Sequence, residues 1–397
     1  MGPSRARPNS RPRPRILVLA QGGPTGFARV ATGIMNSLHH EFEFHHFMLN
    51  RRDLRGERPW ERYANQVPGD PDGRTQIPAL LASLQPDAVL FFHDYWLYCA
   101  HFPAIERCRP RPRTVVYCPV DGPLSQPGLL SPLRSADRII AYSRFGRAEL
   151  QRALSRSDIA VIPHSIDTEA FRPLGDVAKA RRLLYGPDLE DAFIVLNGNR
   201  HSVRKRLGLT IEGFALFAAG KPRNVKLHLH SGIPPRTLAD HDRYLRLRRD
   251  GRILHTDPRS HEFPDVSDRR LNVVYNACDA GVNTASAEGF GLVSFEHAAT
   301  GAPQIIPGHP GCRELWHEKA MFVPPVQADD IPGDYIAHKL VAPTAVAAAL
   351  EELYADPAGR AKRGSLDQTH ARRRALHVSE TATAWRHVLH ALLDQRQ

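Results

Sequence analysis

The sequence contains no uninterrupted apolar run long enough to span a bilayer, and its first residues lack the apolar core of a signal peptide. Its 5 cysteines are an odd number without close pairing, which argues against both a disulfide framework and a zinc knuckle. Aromatic residues are not interleaved with basic residues in a nucleic-acid-binding motif, so nucleic acid is not an expected partner. We therefore expect a cytoplasmic protein, and 397 residues are enough for two ordinary domains.

Positive charge is in excess, with a formal net charge of +11 and a pI near 9.7. Much of the excess lies in a proline-rich N-terminal stretch, in Arg5, Arg7, Arg11, Arg13 and Arg15. We expect residues 1–14 to form a disordered tail. Basic charge favours lipid headgroups, nucleic acid or phosphorylated substrates without choosing between them, and a solvated arginine-rich surface explains it equally well. An anionic membrane surface remains a candidate partner for this tail.

The first predicted strand lacks the fingerprint of a dinucleotide-binding protein. Arg15–Ala20 is apolar and strand-like, Gln21–Gly26 is a glycine-containing turn, and a helix is predicted from Phe27. Strand, glycine turn and helix form the phosphate-approaching corner of a doubly wound domain. However, the turn is not G-x-G-x-x-G, and no acidic residue follows at the distance that would suit a ribose. A nicotinamide enzyme that transfers hydride is therefore the least favoured function.

Two series of strands and helices, meeting near residue 165, predict an α/β protein of two doubly wound halves. In the first series, polar residues follow three predicted strands: His93, Asp94, Asp121 and Ser143. Because ligands gather at the carboxyl ends of parallel strands, we expect these residues to line one wall of a cleft. Any one of them is also explained as a satisfied structural group, and for a lone histidine that is the commoner case.

The segment Ala285–Glu296 is the strongest local signal. It follows a predicted strand, Ala280–Asn283, and precedes residues with helical apolar spacing, so Glu288 is placed on a strand-to-helix turn and Glu296 about two turns into the helix. Glycines at 289 and 291 permit close approach of a ligand, and the helix start favours an anion such as a diphosphate. A carboxylate there does not favour phosphate, which suggests that Glu288 binds sugar hydroxyls instead. The alternative is a glycine-capped helix start with two exposed glutamates.

A basic cluster, Asn199–Arg206, also follows a strand and precedes a helix, which places its cations at the same cleft edge as Glu288. Arginine binds phosphate oxygens with a fork of N–H groups and lysine with a point charge. The alternative is a solvated charged run, but the position at a strand end favours a functional cluster.

Together these motifs resemble family 4 of the glycosyltransferases, which have the GT-B fold. The resemblance covers residues 15–390, with the motifs in the family's order. They are Gly22-Gly23 as the first glycine loop, Pro163–Thr168 as P-H/N-G-V-D-T, Arg200 and Lys205 as R-x4-K, Glu288 and Glu296 as E-x7-E, Gly301–Ile306 as G-x-P-V-I, and Gly311–Glu314 as G-x-x-E.

The resemblance implies two Rossmann-like domains that face a cleft. It predicts an acceptor-binding domain over residues 15–168, a nucleotide-sugar-binding domain over 169–375, and a helix over 376–397 that crosses back to the first domain. It also implies retaining transfer of a hexose from a UDP- or GDP-linked sugar to an acceptor hydroxyl, with no metal or other cofactor. The acceptor itself is not indicated.

The resemblance also implies roles for individual residues. Glu296 is expected to bind the ribose hydroxyls, and Glu288, with the amides of Phe290 and Gly291, the donor sugar. Arg200 and Lys205 are expected to neutralise the diphosphate leaving group in place of a metal. The catalytic candidates are Glu288, Arg200, Lys205 and Asp121, and His93, Asp94 and Ser143 are acceptor-side candidates. The expected donor-binding residues are Gly22, Gly23, Arg200, Lys205, Glu288, Gly289, Phe290, Gly291, Leu292 and Glu296.

Three positions depart from the family's pattern. Asp121 stands where relatives carry the histidine of a T-x-H-G turn, which leaves the donor sugar open. Arg206 replaces a glycine after the lysine, and Ser165 replaces a glycine in the linker. Two other functions remain open: a nucleotide-sugar epimerase on the same fold, and a non-catalytic scaffold that binds nucleic acid or membrane.

Overall fold

The computed structural model describes residues 13–394 except 24, 51–53, 55, 231–240, 257–263, 265, 330 and 332. Residues 1–12 of the expected tail therefore lie outside the described residues. Arg15 begins the first strand, as predicted, and its Nε lies 3.1 Å from Glu43 Oε1.

The first half of the described chain forms a parallel sheet with helices on its faces. Its strands are β1 (Arg15–Ala20), β2 (Glu43–Met48), β3 (Glu61–Ala64), β4 (Ala88–Phe92), β5 (Arg113–Cys118), β6 (Arg138–Ala141) and β7 (Ala160–Val161). Its helices are α1 (Gly26–Leu38), α2 (Ile77–Leu84), α3 (Tyr95–Glu106) and α4 (Arg144–Leu154). The strand order is β3-β2-β1-β4-β5-β6-β7, so the order reverses between β1 and β4. Such a reversal opens a crevice at the carboxyl ends of the two strands.

The second half of the described chain forms another parallel sheet, in the order β10-β9-β8-β11-β12-β13. These strands are β8 (Phe193–Asn197), β9 (Val225–Leu229), β10 (Ile253–His255), β11 (Ala280–Val282), β12 (Gln304–Pro307) and β13 (Met321–Val323). The helices are α5 (Val177–Tyr185), α6 (Leu207–Ala218), α7 (Asp242–Arg249), α8 (Asp268–Ala277), α9 (Leu292–Ala299), α10 (Pro310–Trp316), α11 (Pro343–Ala355) and α12 (Pro357–Ala371). Here the strand order reverses between β8 and β11. The basic cluster follows the end of β8, and Glu288 follows the end of β11.

The last helix, α13 (Val378–Asp394), crosses back and packs on the first half. Its Trp385 ring is fully buried, 5.2 Å from the ring of Phe92, and Arg386 Nε lies 2.7 Å from Glu41 Oε1. The expected pair of doubly wound units with a returning helix is thus confirmed. No helix among the described residues is both long and apolar enough to cross a membrane.

A small antiparallel hairpin, β14 (Pro325–Asp329) and β15 (His338–Val341), was not expected from the sequence. Strand β3 was also not expected, because its sequence, ERYA, has no apolar run. Helix α9 begins only at Leu292, after Gly291 in a left-handed conformation with φ of 79°. Glu296 therefore lies just over one turn into the helix rather than two.

Candidate active site

A cavity of about 440 Å³ lies between the two halves, where the carboxyl ends of their strands face each other. It is lined by residues that follow β1, β4, β5 and β6 in the first half and β8 and β11 in the second. Eight residues singled out in the sequence line it: Asp94, Asp121, Arg200, Lys205, Glu288, Phe290, Gly291 and Leu292. The structure therefore brings the basic cluster, the glutamate turn and two strand-end aspartates into one place.

Glu288 lies in this cavity beside two cations. It is 4% exposed, and its Oε2 accepts hydrogen bonds from the Lys205 ammonium and from Asn283 Nδ2, the latter at 3.0 Å. The guanidinium of Arg204 lies 3.7 Å from Oε1. Burial by itself raises the pKa of a carboxyl, but the cations of Lys205 and Arg204 lower the pKa of Glu288 to about 2. Glu288 is consequently a buried, ionised carboxylate rather than the exposed glutamate of the alternative interpretation.

Asp121 joins the two halves across the cavity. Its Oδ2 lies 3.1 Å from Arg204 Nη2, and its Oδ1 accepts from the Tyr142 hydroxyl at 2.8 Å and from the Gly289 N–H at 3.1 Å. The backbone approach at Gly289 is close, because a Cβ there would touch the Tyr142 hydroxyl and lie 2.5 Å from the Val120 carbonyl oxygen. Asp121 is thus bonded to protein groups, and its expected contact with the donor sugar stays a prediction.

Arg200 lines the same cavity and is exposed. Across the ranges that the structure describes, no ion pair or hydrogen bond involves its guanidinium, whereas Arg204 and Lys205 are both bound to carboxylates. Arg200 therefore offers a cation that a ligand can use without first breaking a protein contact.

Glu296 lies apart from this group, in a second cavity of about 820 Å³. It is 2% exposed, its Oε1 accepts from Arg29 at 2.5 Å, and its Oε2 accepts from the Tyr275 hydroxyl at 2.9 Å. Arg29 comes from α1 of the first half and also lies 3.1 Å from Asp268. Burial raises the pKa of Glu296, and Arg29 opposes that shift. The two carboxylates of the E-x7-E motif thus face different cavities, and Glu296 is occupied by protein groups.

The predicted glycine loop also lines the second cavity rather than the first. The Gly22 N–H donates to Asn50 Oδ1 at 2.7 Å, so it is not directed at a ligand. Gly23 lines the same cavity and has a φ of 97°, in the region that favours glycine. Both glycines therefore share a cavity with Glu296, and neither lines the cavity of Glu288.

The three acceptor-side candidates have different surroundings. Asp94 lines the first cavity, and burial together with Asp121 raises its pKa to about 7. His93 is buried beside it, its Nδ1 accepts from the Asp94 N–H at 2.8 Å, and burial with Arg200 lowers its pKa to about 3. Ser143 caps helix α4 by accepting from the Gly146 N–H at 3.0 Å, which is a structural role.

Several residues of the site were not predicted from the sequence. Arg204 lies inside the basic cluster, and Tyr142 directly follows β6, so position at a strand end was a usable signal for both. Arg29 and Tyr275 carried no such signal, because their partner Glu296 is distant in the chain. Among the described residues, no group of three or more histidine, cysteine, aspartate or glutamate side chains is placed to hold a metal ion.

Comparison with known proteins agrees with this architecture. No family model matches the chain. The chain is 26% identical over 203 residues to mannosylfructose-phosphate synthase of Agrobacterium fabrum, in an alignment that covers 50% of this chain. It covers only 44% of that relative, so the chain matches less than half of the relative's length.

Solved structures resemble almost the whole chain. HepE from Anabaena in complex with UDP and glucose has a TM-score of 0.71 and 18% identity, covering 96% of this chain and 100% of HepE. Sucrose-phosphate synthase from Thermosynechococcus elongatus has a TM-score of 0.73 and 18% identity, with the same coverage. At these identities the likeness concerns the fold, and the chain has the GT-B fold that the motifs had indicated.

Proposed function

We propose that the chain is a glycosyltransferase that moves a hexose from a UDP- or GDP-linked sugar to an acceptor hydroxyl. The observation that carries the proposal is the gathering of Arg200, Lys205, Glu288 and the start of α9 around one cavity between the two halves. Support also comes from the relatives, since HepE is described with UDP and glucose bound and the curated relative is named as a sugar-phosphate synthase.

The diphosphate of the donor is proposed to lie against Arg200, Lys205 and the first turn of α9. Leu292 and Val293 begin that helix and line the cavity. The first N–H groups of a helix have no partner within the helix and carry the positive end of its dipole, so they favour an anion. The Arg200 guanidinium, which pairs with no described residue, adds a positive charge that offsets the negative charge of the nearby Glu288.

The donor sugar is proposed to bind Glu288. An ionised carboxylate has about four acceptor positions, of which Lys205 and Asn283 use only part. The remaining positions suit sugar hydroxyls, whose hydrogen bonds to a charged group are stronger than bonds between neutral groups. Binding of the ribose by Glu296 remains part of the proposal, and it requires the nucleotide to share or displace the Arg29 guanidinium.

In the transfer, the bond between the anomeric carbon and the phosphate oxygen breaks, and a bond from that carbon to the acceptor oxygen forms. The acceptor's proton passes to the departing phosphate, and Arg200 and Lys205 stabilise the negative charge that develops on it. We propose retention of the anomeric configuration, with the acceptor attacking on the face that the leaving group departs from. The cations would take the part that a metal plays in other transferases.

The test is to incubate the purified chain with UDP- and GDP-linked hexoses, with and without a panel of hydroxyl acceptors, and to measure nucleoside diphosphate release. Release that depends on an acceptor, with a product of retained configuration by proton NMR, supports the proposal. Conversion of the donor into another nucleotide sugar without an acceptor would instead identify an epimerase. If the chain neither binds nor consumes any nucleotide sugar, the proposal is contradicted. A non-catalytic scaffold is then the favoured function.

A further inference from the structure

The loop residues 333–337, which precede β15, pair with the first half of the chain. The Ser125 N–H donates to the Tyr335 carbonyl oxygen at 2.8 Å, and the Ala337 N–H donates to the Pro123 carbonyl oxygen at 2.7 Å. Leu124 and Ile336 form an antiparallel bridge between these bonds. The loop is therefore joined to the first half by backbone pairing of the kind found in a sheet.

Side-chain contacts fix the same loop from the cavity side. The rings of Tyr335 and Tyr95 lie 4.3 Å apart at an angle of 62°, and the Tyr335 hydroxyl donates to the Pro119 carbonyl oxygen at 3.3 Å. Tyr335 and Ile336 are each 5% exposed. Both residues line the first cavity together with Ile331 and Asp334, so the loop closes one end of it.

The closed end is acidic. Asp94 and Asp121 reach it from the first half and Asp334 from the loop. Asp334 is fixed by the Tyr335 N–H at 2.7 Å and by His338 Nε2 at 3.0 Å, and Asp121 is paired with Arg204. Among the described residues nothing donates a hydrogen bond to the Asp94 carboxyl, whose side chain is 22% exposed and whose Oδ2 lies 3.5 Å from His93 Nδ1. A carboxylate that lines a cavity and accepts no hydrogen bond from the protein suits a ligand that supplies a hydroxyl.

We propose that this end of the cavity is the acceptor subsite, and that it takes a small, unphosphorylated sugar or polyol whose reacting hydroxyl donates to Asp94. The proposal rests on the proposed function and names its substrate class. A pocket of about 300–1,000 Å³ typically holds one drug-sized ligand. The 440 Å³ found here must hold the donor sugar and its diphosphate as well as the acceptor, which limits the acceptor to about one or two sugar units.

The negative charge of the three aspartates at this end of the cavity disfavours phosphorylated acceptors. A phosphate at this end would lie among the carboxylates of Asp94, Asp121 and Asp334, and like charges at short range discriminate strongly against a wrong partner. The nearby cations of Arg204 and Lys205 are already paired, and Arg200 is needed for the donor's diphosphate.

The donor for the test is the nucleotide sugar that raises the unfolding midpoint of the protein most. Acceptors are then compared at a saturating concentration of that donor. The panel holds neutral monosaccharides and polyols, their 6-phosphates, a trisaccharide, and a polyprenol in detergent, and the measurement is kcat/KM from nucleoside diphosphate release. We expect neutral small acceptors to exceed their own phosphates by on the order of tenfold or more. Tyr335→Ala should raise the acceptor KM by about tenfold and let the trisaccharide react, while the donor Kd stays unchanged.

Two variants on the same hairpin serve as controls. Val326→Ala changes a side chain that is 65% exposed and should behave as the wild type. Tyr335→Phe removes the hydroxyl that donates to the Pro119 carbonyl but keeps the ring against Tyr95, and it should keep the preference for small acceptors. A preference for sugar phosphates or for the polyprenol would overturn the inference, and so would the finding that no neutral compound stimulates nucleoside diphosphate release. In either case, turnover of the donor would leave the proposed function standing. Failure to bind or consume any donor would overturn both.

Discussion

Arg200 differs from its basic neighbours in the cleft because no described residue pairs with its guanidinium. We expect Arg200→Ala to lower kcat by on the order of a hundredfold, since it removes a group that stabilises the leaving diphosphate. The unfolding midpoint should change little, because the Arg200 guanidinium makes no hydrogen bond or ion pair with the described residues. Arg223→Ala, an exposed arginine that lines neither cavity, is the matched control. Equal loss in both variants, or loss in neither, would contradict the role of Arg200.

Asp94 should give the acceptor reaction its pH dependence. Burial raises the pKa of this carboxyl to about 7, and its ionised form accepts a stronger hydrogen bond from an acceptor hydroxyl than its protonated form does. The value of kcat/KM for the acceptor should therefore fall as the pH falls through about 7, and Asp94→Asn should remove that inflection. The charged groups around it are Asp121 and Asp334, which raise its pKa, and Arg200 and Arg204, which lower it. A profile that keeps the inflection in Asp94→Asn would assign it to another group.

Single residues were predictable where they follow a strand. Glu288, Lys205, Arg200 and Asp94 each stand just beyond a strand end, and parallel sheets bring those positions together. Glu296 was placed in the same site by its motif, yet its partner Arg29 lies 267 residues away in the chain. No local pattern indicates a contact of that range, which is why the second cavity was not expected.

The turn between β11 and α9 depends on glycine where it meets the first half. A Cβ at Gly289 would lie 2.5 Å from the Val120 carbonyl oxygen, so Gly289→Ala must move the turn away from Asp121. We expect a lower unfolding midpoint and loss of most activity, measured by thermal unfolding and donor turnover. Gly128→Ala is the control, because a Cβ at that glycine meets nothing within 4 Å. A wild-type midpoint in Gly289→Ala would show that the contact does not matter.

Helix α1 is held to helices α8 and α9 by the ion pairs of Arg29 with Asp268 and Glu296. Arg29→Met leaves the Glu296 carboxylate buried without its cation, which should cost roughly 3 kcal/mol of unfolding free energy. The double variant Arg29→Met/Glu296→Gln should recover much of that loss, because no unpaired charge remains. Urea unfolding of both single variants and the double variant measures the coupling. Additive losses would show that the two side chains are not energetically coupled.

Elements with strong apolar periodicity were predicted closely, whereas short polar elements were not. The apolar spacing of residues 77–84 predicts a helix with the bounds of α2, and residues 87–92 predict a buried strand that β4 matches except at its first residue. Strand β3 reads ERYA and β14 reads PVQAD, neither of which has an apolar run or clean alternation. These two strands are specified by neighbours in the folded chain, so the loop that closes the cavity could not be found from the sequence.

The whole molecule consists of two doubly wound units joined by contacts at several places. Asp121 bonds to the Gly289 turn, Arg29 to Glu296, the β14–β15 loop to residues 123–126, and α13 to the first half. Two parallel sheets were predictable, because each strand is followed by a turn and a helix. How the units face each other was not, since it is decided by these few long-range contacts.

The central claim is that the cavity at Arg200 and Glu288 binds a nucleoside diphosphate sugar, and ligand-dependent thermal unfolding tests it most directly. The measurement compares UDP, GDP, ADP and their common sugars with the wild type, Arg200→Ala and Arg223→Ala. We expect a UDP- or GDP-based ligand to raise the midpoint of the wild type and of Arg223→Ala, and to lose most of that effect in Arg200→Ala. If no nucleotide raises the midpoint, or if Arg200→Ala responds like the wild type, the donor site is not where we have placed it.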